Sequence, residues 1–186
     1  MRYAGPRRSE VVTIDIDDIN RNEKRLYLAT KGHRANGSLG LKPVILFPFV
    51  ADALWTYLTQ WRPEVIDVLE GDQSAVFVNH DTHNYGRRLT DDGVRGMLDV
   101  LRPALDATWR KAFTPHTLRH AFAYDLQRHG GPYATTANMR HASLNSQGPY
   151  AASVDMFYDQ LVPPLEADFA EVLNQAGLTG EFHGRA

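Results

Sequence analysis

The sequence predicts an α+β fold that is mainly helical, with a small three-stranded antiparallel sheet near the N-terminus. The β-prone segments KRLYLAT and KPVILF flank a glycine-rich stretch, KGHRANGSLG, and this is the pattern of a β-hairpin. After residue 48, segments with apolar residues at helical spacing fill most of the chain.

The first half of the chain is expected to hold the sheet and two helices. Residues 5–12 predict a short helix, which an extended segment, VVTIDI, follows. Pro48 opens a second helix, which is expected to end near residue 61 because Pro63 disfavours helical backbone at the residue before it. The apolar run AVFVN at 75–79 predicts a short buried strand.

A third helix is expected to begin at Thr90, which is a typical N-cap residue, and to run to about residue 109. Pro103 lies inside this pattern and predicts a break near Leu101. The residues expected to face inward are Val94, Met97, Leu98 and Leu101.

The next helix is expected to begin at Thr114 and Pro115, as N-cap and first helical residue. The Gly-Gly-Pro sequence at 130–132 is expected to stop it, and a short helix follows over 135–141.

The C-terminal part of the chain predicts one more helix. The run VPP at 162–164 is interpreted as a hinge, and a final amphipathic helix follows over 165–176.

Composition narrows the class of protein. The chain has 186 residues, of which 43% are hydrophobic and 23% charged, and this fits one globular domain. It lacks both cysteine and a long apolar run, so neither thiolate chemistry nor a membrane span is expected, and a cytoplasmic location is the simplest choice. Because phosphate neutralisation needs basic residues, the net charge of −2 predicts only weak, salt-sensitive binding to nucleic acid.

Six polar residues occur in an order that suits cleavage of a phosphodiester without a metal. Two arginines can hold the non-bridging oxygens, a lysine and a histidine can move protons, and a tyrosine can attack phosphorus. The residues are Arg7, Lys31, His116, Arg119, His141 and Tyr150. His116 and Arg119 are three apart at a predicted helix start, where the helix dipole favours an anion.

The sequence around these residues resembles the tyrosine recombinases, the phage integrase family. The resemblance rests on the segments GPRRSE, TKG, TPHTLRH and RHASLNSQGPY. The family carries Gly-x-Arg-x-Ser-Glu, a lysine followed by glycine, His-x-Leu-Arg-His, and a Gly-His-Ser-Ser stretch that ends in tyrosine. The resemblance implies a catalytic domain over residues 1–176, a C-terminal tail over 177–186, and absence of the N-terminal core-binding domain that family members normally carry.

The resemblance also implies roles for these residues. Tyr150 is the nucleophile that forms a 3′-phosphotyrosyl link, and Arg7 and Arg119 brace the scissile phosphate. Lys31 is the general acid for the leaving 5′-oxygen, and His116 helps to accept the tyrosine proton.

The remaining residues support this chemistry. His141 adds a hydrogen bond to the phosphate, Glu10 is expected to orient an arginine, and His120 is expected to be structural or to act through a neighbour. The expected DNA contacts are Arg8, Arg34 and Arg140.

The implied partner is double-stranded DNA, bound by a homotetramer that exchanges C-terminal segments between neighbours. No metal, other cofactor or membrane is expected, and the implied location is the cytoplasm, at the nucleoid.

Some residue assignments have alternatives. Tyr158, and after it Tyr133, are the other candidate nucleophiles, and Lys42 is the alternative lysine. Three residues depart from the family pattern: Arg140 stands where glycine is usual, Pro149 restricts the tyrosine that follows it, and Pro6 lies directly before Arg7.

Other classes of function are less favoured. A zinc site could combine four histidines, His80, His83, His116 and His120, but the glutamate of a His-Glu-x-x-His motif is missing. A type IB topoisomerase would share the chemistry, but that class typically has lysine where His116 stands. A truncated, inactive DNA-binding remnant is the alternative outside enzymes.

Overall fold

The computed structural model describes residues 1–29, 40–66, 73–105, 107–139 and 157–175, and it is an α+β fold, mainly helical, as the sequence predicts. The described α-helices are α1 (Arg8–Val11), α2 (Pro48–Thr56), α3 (Arg62–Ile66), α4 (Asp91–Leu101), α5 (Ala107–Arg110), α6 (Pro115–Met139) and α7 (Tyr158–Gln175). The strands are β1 (Ile19–Asn20), β2 (Arg25–Ala29) and β3 (Leu41–Ile45). None of the described helices combines the length and the apolar character that crossing a membrane requires.

The predicted three-stranded antiparallel sheet is confirmed, with strand order β1-β2-β3. Leu26 of β2 pairs with Val44 of β3, and Leu28 pairs with Lys42. Leu26 and Leu28 are buried, whereas the residues between and beside them are partly exposed. This period of two is the pattern that the sequence alternation predicted.

The segment before the sheet was expected to form a helix over 5–12 and then an extended run, and the structure differs from this at both points. Helix α1 has a single turn, because Gly5 has φ +57° and Arg7 is in an extended conformation. Beyond α1, the amide of Asp15 donates to the Asp18 carboxylate at 2.9 Å, and this bond holds a 3-10 turn at Ile16–Asp18. Strand β1 therefore begins only after this turn.

The main hydrophobic cluster packs the sheet against α6 and α7. It includes six side chains that are at most 1% exposed: Ile45, Phe47, Phe122, Leu126, Leu161 and Leu165. Burial of each such side chain contributes about 1.5–3 kcal/mol. Phe122 also lies against Gly5, so the cluster fixes the start of α6 beside the first residues of the chain.

The expected helix end before Pro63 is wrong. Helix α2 passes through a π-helical turn, Tyr57–Trp61, into α3, which contains Pro63. In this turn the amide of Arg62 bonds to the carbonyl of Tyr57, five residues back. The wider turn offsets the preceding carbonyls from the proline ring, so the helix continues.

The apolar run at 75–79 is buried as expected, but it is not a strand. It forms two isolated bridges, Asp15 with Ala75 and Val78 with Arg88. Arg62 also holds this segment in place, because its Nε donates to the carbonyl of Ala75 at 2.9 Å.

Helix α4 begins where predicted, with the Thr90 hydroxyl accepting from the amide of Gly93 at 3.1 Å. The break near Leu101 is confirmed, because α4 ends there and a 3-10 turn containing Pro103 follows. Two of the expected inward residues, Val94 and Leu98, are buried. The others, Met97 and Leu101, are 55% and 53% exposed, because only the Val94–Leu98 stripe of α4 meets the core.

The start of α6 is confirmed, since the Thr114 hydroxyl accepts from the amide of Thr117 at 3.1 Å and Pro115 is the first helical residue. As expected, the glycine-proline sequence ends the first helical segment of α6, because Gly131 is not helical, and a second segment follows after a kink. Gly131 has φ +74°, and the helix resumes beyond it as far as Met139.

The predicted hinge at 162–164 is wrong, because Pro163 and Pro164 lie inside α7. Leu161, Val162 and Leu165 are buried around the two prolines, and this packing holds the helix although two amide donors are missing. The first half of α7 therefore packs on the core of its own chain.

Gly5 yields a prediction about stability. A Cβ at this position would meet Cδ1 of Phe122 at 2.6 Å, and φ +57° is strained for any residue with a side chain. Gly5→Ala is expected to lower the free energy of unfolding by at least about 2 kcal/mol, as measured by urea denaturation.

Gly96→Ala is the matched control. Gly96 lies inside α4, and a Cβ there would meet nothing within 4 Å. This substitution is expected to raise the free energy of unfolding by about 0.5–1 kcal/mol through helix propensity. Equal effects at the two glycines would contradict the packing described for Gly5.

Candidate active site

A cleft of about 510 Å³ lies between the first residues of the chain and the start of α6. Its lining is rich in cationic and imidazole groups: Arg7, Arg8, Thr114, Pro115, His116, Arg119, His120, Ala123 and Met139. Three of the six predicted catalytic residues, Arg7, His116 and Arg119, therefore share one cavity although more than a hundred residues of chain separate the first from the others.

Glu10 fixes Arg7 at the wall of the cleft. The backbone amide of Arg7 donates to Oε2 of Glu10 at 2.6 Å, and Nη1 of Arg7 donates to Oε1 at 2.6 Å. Glu10 is only 4% exposed, whereas the Arg7 side chain is 42% exposed. A buried carboxylate that caps α1 thus holds an exposed guanidinium, and this is the kind of contact expected of Glu10.

Arg119 is buried, 8% exposed, and donates hydrogen bonds to the backbone of two separate segments of the chain. Its Nη1 donates to the carbonyl of Gly5, and its Nη2 donates to the carbonyl of Met139 at 2.7 Å. The guanidinium fork therefore ties the segment before Arg7 to the end of α6. A guanidinium has five N–H donors in a fixed plane, and this allows one group to span two carbonyls.

His116 and His120 lie one helical turn apart on the exposed face of α6. Their Nε2 atoms are 2.7 Å apart, and the two rings meet edge to face with centroids separated by 4.0 Å. The Thr114 cap and Pro115 set the start of the helix, and this places His116 in its first turn.

Arg8 lines the cleft next to Arg7 and pairs with Asp91, the first residue of α4, at 2.8 Å. Arg8 and Asp91 are both partly exposed, so this ion pair is solvent-screened and weak, typically about 0–1 kcal/mol. An anion that enters the cleft can compete for Arg8.

The other predicted site residues lie outside the described part of the chain. They are Lys31, Arg34, Arg140, His141 and Tyr150. The alternative lysine, Lys42, is described, lies in β3 opposite Leu28, and is not among the residues that line the cleft.

Comparison with known proteins identifies the family. The Phage integrase family matches residues 1–156, which is most of the chain. The chain belongs to the phage integrase family.

Similar proteins of this family carry the name tyrosine recombinase. The chain is 32% identical to tyrosine recombinase XerC of Pelotomaculum thermopropionicum over 154 residues, which are 80% of the chain and 46% of that protein. It is 26% identical to tyrosine recombinase XerD of Staphylococcus epidermidis over 164 residues, 86% of the chain and 51% of that protein. The chain thus spans about half the length of the curated relatives it matches.

A solved structure supports the fold. The crystal structure of XerA recombinase matches with a TM-score of 0.60 and 20% sequence identity, over 100% of this chain and 56% of that one. The phage integrase fold is therefore present in the described residues.

The candidate nucleophile, Tyr150, lies outside the described residues. The chain has eight tyrosines, and none of the seven that the structure describes lines the cleft. The Tyr158 hydroxyl is buried without a partner among the described residues, and Tyr133 is 66% exposed on α6. Burial raises the pKa of Tyr3 and of Tyr57, which makes their phenolates harder to form.

The described residues do not assemble a metal site around the histidine pair. No group of three or more His, Asp or Glu side chains among them is arranged to hold a metal ion. His80 and His83 belong to the exposed turn after residue 79, where Asp81 accepts from the amide of His83 at 2.9 Å.

Three residues that shape the cleft were not found by sequence reasoning. Gly5 and Met139 contribute backbone carbonyls, which leave no side-chain signature in a sequence. Asp91 could have been found as the first residue of a helix, since an acidic residue directly after a Thr90 N-cap is a typical helix start.

The two carbonyl bonds of Arg119 yield a prediction. Lysine carries its charge on one ammonium and cannot span two separate buried carbonyls. Arg119→Lys is expected to lower the free energy of unfolding by about 1–3 kcal/mol, because at least one carbonyl is left unpaired. Urea denaturation measures the change.

Arg128→Lys is the control, because Arg128 lies on the same helix and is exposed. It is expected to change stability by less than about 0.5 kcal/mol. An Arg119→Lys protein as stable as the Arg128→Lys protein would show that the bridge between Gly5 and Met139 is dispensable.

Proposed function

We propose that residues 1–176 form the catalytic domain of a site-specific DNA recombinase, followed by a tail over 177–186. The domain cleaves one strand of double-stranded DNA and rejoins it through a 3′-phosphotyrosyl intermediate, without a metal or other cofactor. Family membership supports the reaction class, and the geometry of the cleft supports the assignment of residues.

The observation that carries the proposal is the convergence of Arg7, His116 and Arg119 on one cleft at the start of α6. Two guanidinium groups and a helix N-terminus favour a phosphate, because negative charge builds on its oxygens as the nucleophile attacks. Glu10 and the backbone carbonyls hold both guanidinium groups in place before the substrate arrives. Little reorganisation is then needed in the transition state.

Tyr150 attacks the scissile phosphorus and forms the phosphotyrosyl bond, while the bond from phosphorus to the 5′-oxygen breaks. His116 accepts the tyrosine proton, and Lys31 donates a proton to the leaving oxygen. His141 donates a hydrogen bond to the phosphate. The bond energy is retained in the phosphotyrosine, so rejoining needs no nucleotide cofactor.

The proposed partner is double-stranded DNA, and Arg8, Arg34 and Arg140 are the proposed contacts outside the catalytic set. Arg8 lines the cleft beside Arg7, so it is placed to meet a phosphate that neighbours the scissile one. A homotetramer on two DNA sites, in the cytoplasm at the nucleoid, is the assembly proposed from the resemblance to tyrosine recombinases.

A suicide substrate tests this function. A duplex with a nick beside the cleavage site loses a short fragment after attack, which traps the covalent protein–DNA adduct. The chain, at saturating protein concentration and in EDTA, is expected to form this adduct. Tyr150→Phe is expected to abolish it and to leave DNA binding nearly unchanged, because only the attacking oxygen is removed. Denaturing gel electrophoresis detects the adduct.

Tyr158→Phe is the control, because its hydroxyl is buried in α7. This variant is expected to form the adduct as the unmodified chain does. Adduct from Tyr150→Phe, together with loss of adduct from Tyr158→Phe, would overturn the assignment. Binding without adduct from the unmodified chain would favour the inactive DNA-binding remnant.

A further inference from the structure

The hydrogen bond between His116 and His120 is the contact in the cleft that the proposed reaction leaves without a role. Both imidazoles are exposed to the cleft, and their Nε2 atoms are 2.7 Å apart. Edge-to-face ring packing, with an interplanar angle of 83°, holds this geometry. The i,i+4 spacing on α6 brings the two side chains together on one helix face.

A bond between two Nε2 atoms constrains the protons of the pair. One Nε2 must carry a hydrogen, and the other must present a lone pair. If His116 is the donor, its Nδ1 is the unprotonated nitrogen and is available to accept a proton. His120 then carries its own hydrogen on Nδ1.

We propose that His120 is a positioning residue that keeps His116 in the tautomer able to accept the nucleophile's proton. This inference rests on the proposed function and deepens it, because it names the group that orients the general base. In the resting cleft, Nε2–H of His116 donates to Nε2 of His120, and this leaves Nδ1 of His116 able to accept a proton.

The charge of the cleft explains why an imidazole suits this position. The nearby cationic groups are the guanidinium groups of Arg7, Arg8 and Arg119, and the acidic groups, Glu10 and Asp91, are paired with Arg7 and Arg8. A further carboxylate beside His116 would attract these arginines and repel the phosphate. A neutral imidazole accepts the hydrogen bond and adds no charge.

The pair also gives the proton a balanced path. On attack, the Tyr150 hydroxyl proton moves to Nδ1 of His116, and the Nε2 proton of His116 moves to Nε2 of His120. The exposed His120 then releases its Nδ1 proton to water.

On rejoining, the steps reverse. The tyrosine oxygen leaves phosphorus and takes back the proton from Nδ1 of His116, and the Nε2 proton returns from His120 to His116. Water supplies the Nδ1 proton of His120 again, so one histidine pair serves both directions, as microscopic reversibility requires.

Two substitutions separate the hydrogen bond from the packing. His120→Phe keeps an aromatic ring against His116 but has no nitrogen, whereas His120→Gln keeps an acceptor at a similar distance from the helix. The rate of adduct formation at saturating DNA is expected to fall at least about tenfold in the phenylalanine variant and to recover to within about threefold in the glutamine variant. DNA affinity is expected to be unchanged in both.

Nitrogen-15 NMR of histidine-labelled protein without DNA supplies a readout that loss of packing alone does not move. His116 is expected to carry its hydrogen on Nε2 in the unmodified chain and in His120→Gln, and to be a mixture of tautomers in His120→Phe. His83→Phe is the control, because His83 lies in an exposed turn and does not line the cleft. It is expected to leave the signals of His116 unchanged.

The outcomes separate this inference from the proposed function. Adduct formation at the full rate by His120→Phe, or a His116 tautomer that is the same in the unmodified and phenylalanine proteins, overturns the role of His120. An unmodified chain that forms no adduct overturns the proposed function instead. In that case the tautomer of His116 alone decides whether His120 positions it.

Discussion

The bridge that Arg119 makes between two backbone carbonyls is the interaction on which the cleft depends. It joins Gly5, before α1, to Met139, at the end of α6. Because a guanidinium presents its donors in a fixed plane, the bridge sets both the distance between the two carbonyl groups and their relative orientation. Arg7 follows Gly5 by two residues, so the bridge helps to hold Arg7 in the cleft that His116 also lines. Arg119, which the resemblance assigns to the phosphate, therefore also holds these two segments of the chain together.

Electrostatics in the cleft follow from how its arginines are paired. Arg7 is held by the buried carboxylate of Glu10, and Arg8 by the partly exposed carboxylate of Asp91. These pairs place cationic groups along one wall while the chain as a whole carries a net charge of −2. Anion binding therefore depends on local placement rather than on overall charge. A bound phosphate has to compete with Glu10 and Asp91 for these arginines. It displaces Asp91 from Arg8 more easily, because that ion pair is screened by solvent.

Local signals predicted the fold well, and tertiary contacts account for the errors. Features that depend on a few neighbouring residues could be predicted from the sequence. They are the hairpin, the Thr90 and Thr114 caps and the break near Leu101. The prolines inside α3 and α7 do not end those helices, because a π-helical turn in one case and core packing in the other outweigh the local preference. In the site, the convergence of Arg7 with α6 was predicted through a resemblance. The carbonyls that hold Arg119 were not, because backbone atoms carry no residue type.

A crystal structure of the chain with duplex DNA and orthovanadate would show whether this cleft holds the scissile phosphate. Five-coordinate vanadate mimics the transition state of phosphoryl transfer, so it binds where the reacting phosphate is stabilised. We expect vanadate oxygens within about 2.7–3.2 Å of guanidinium nitrogens of Arg7 and Arg119, and the Tyr150 oxygen bonded to vanadium. Vanadate and DNA bound elsewhere, without contacts to Arg7 or Arg119, would show that this cleft does not hold the scissile phosphate.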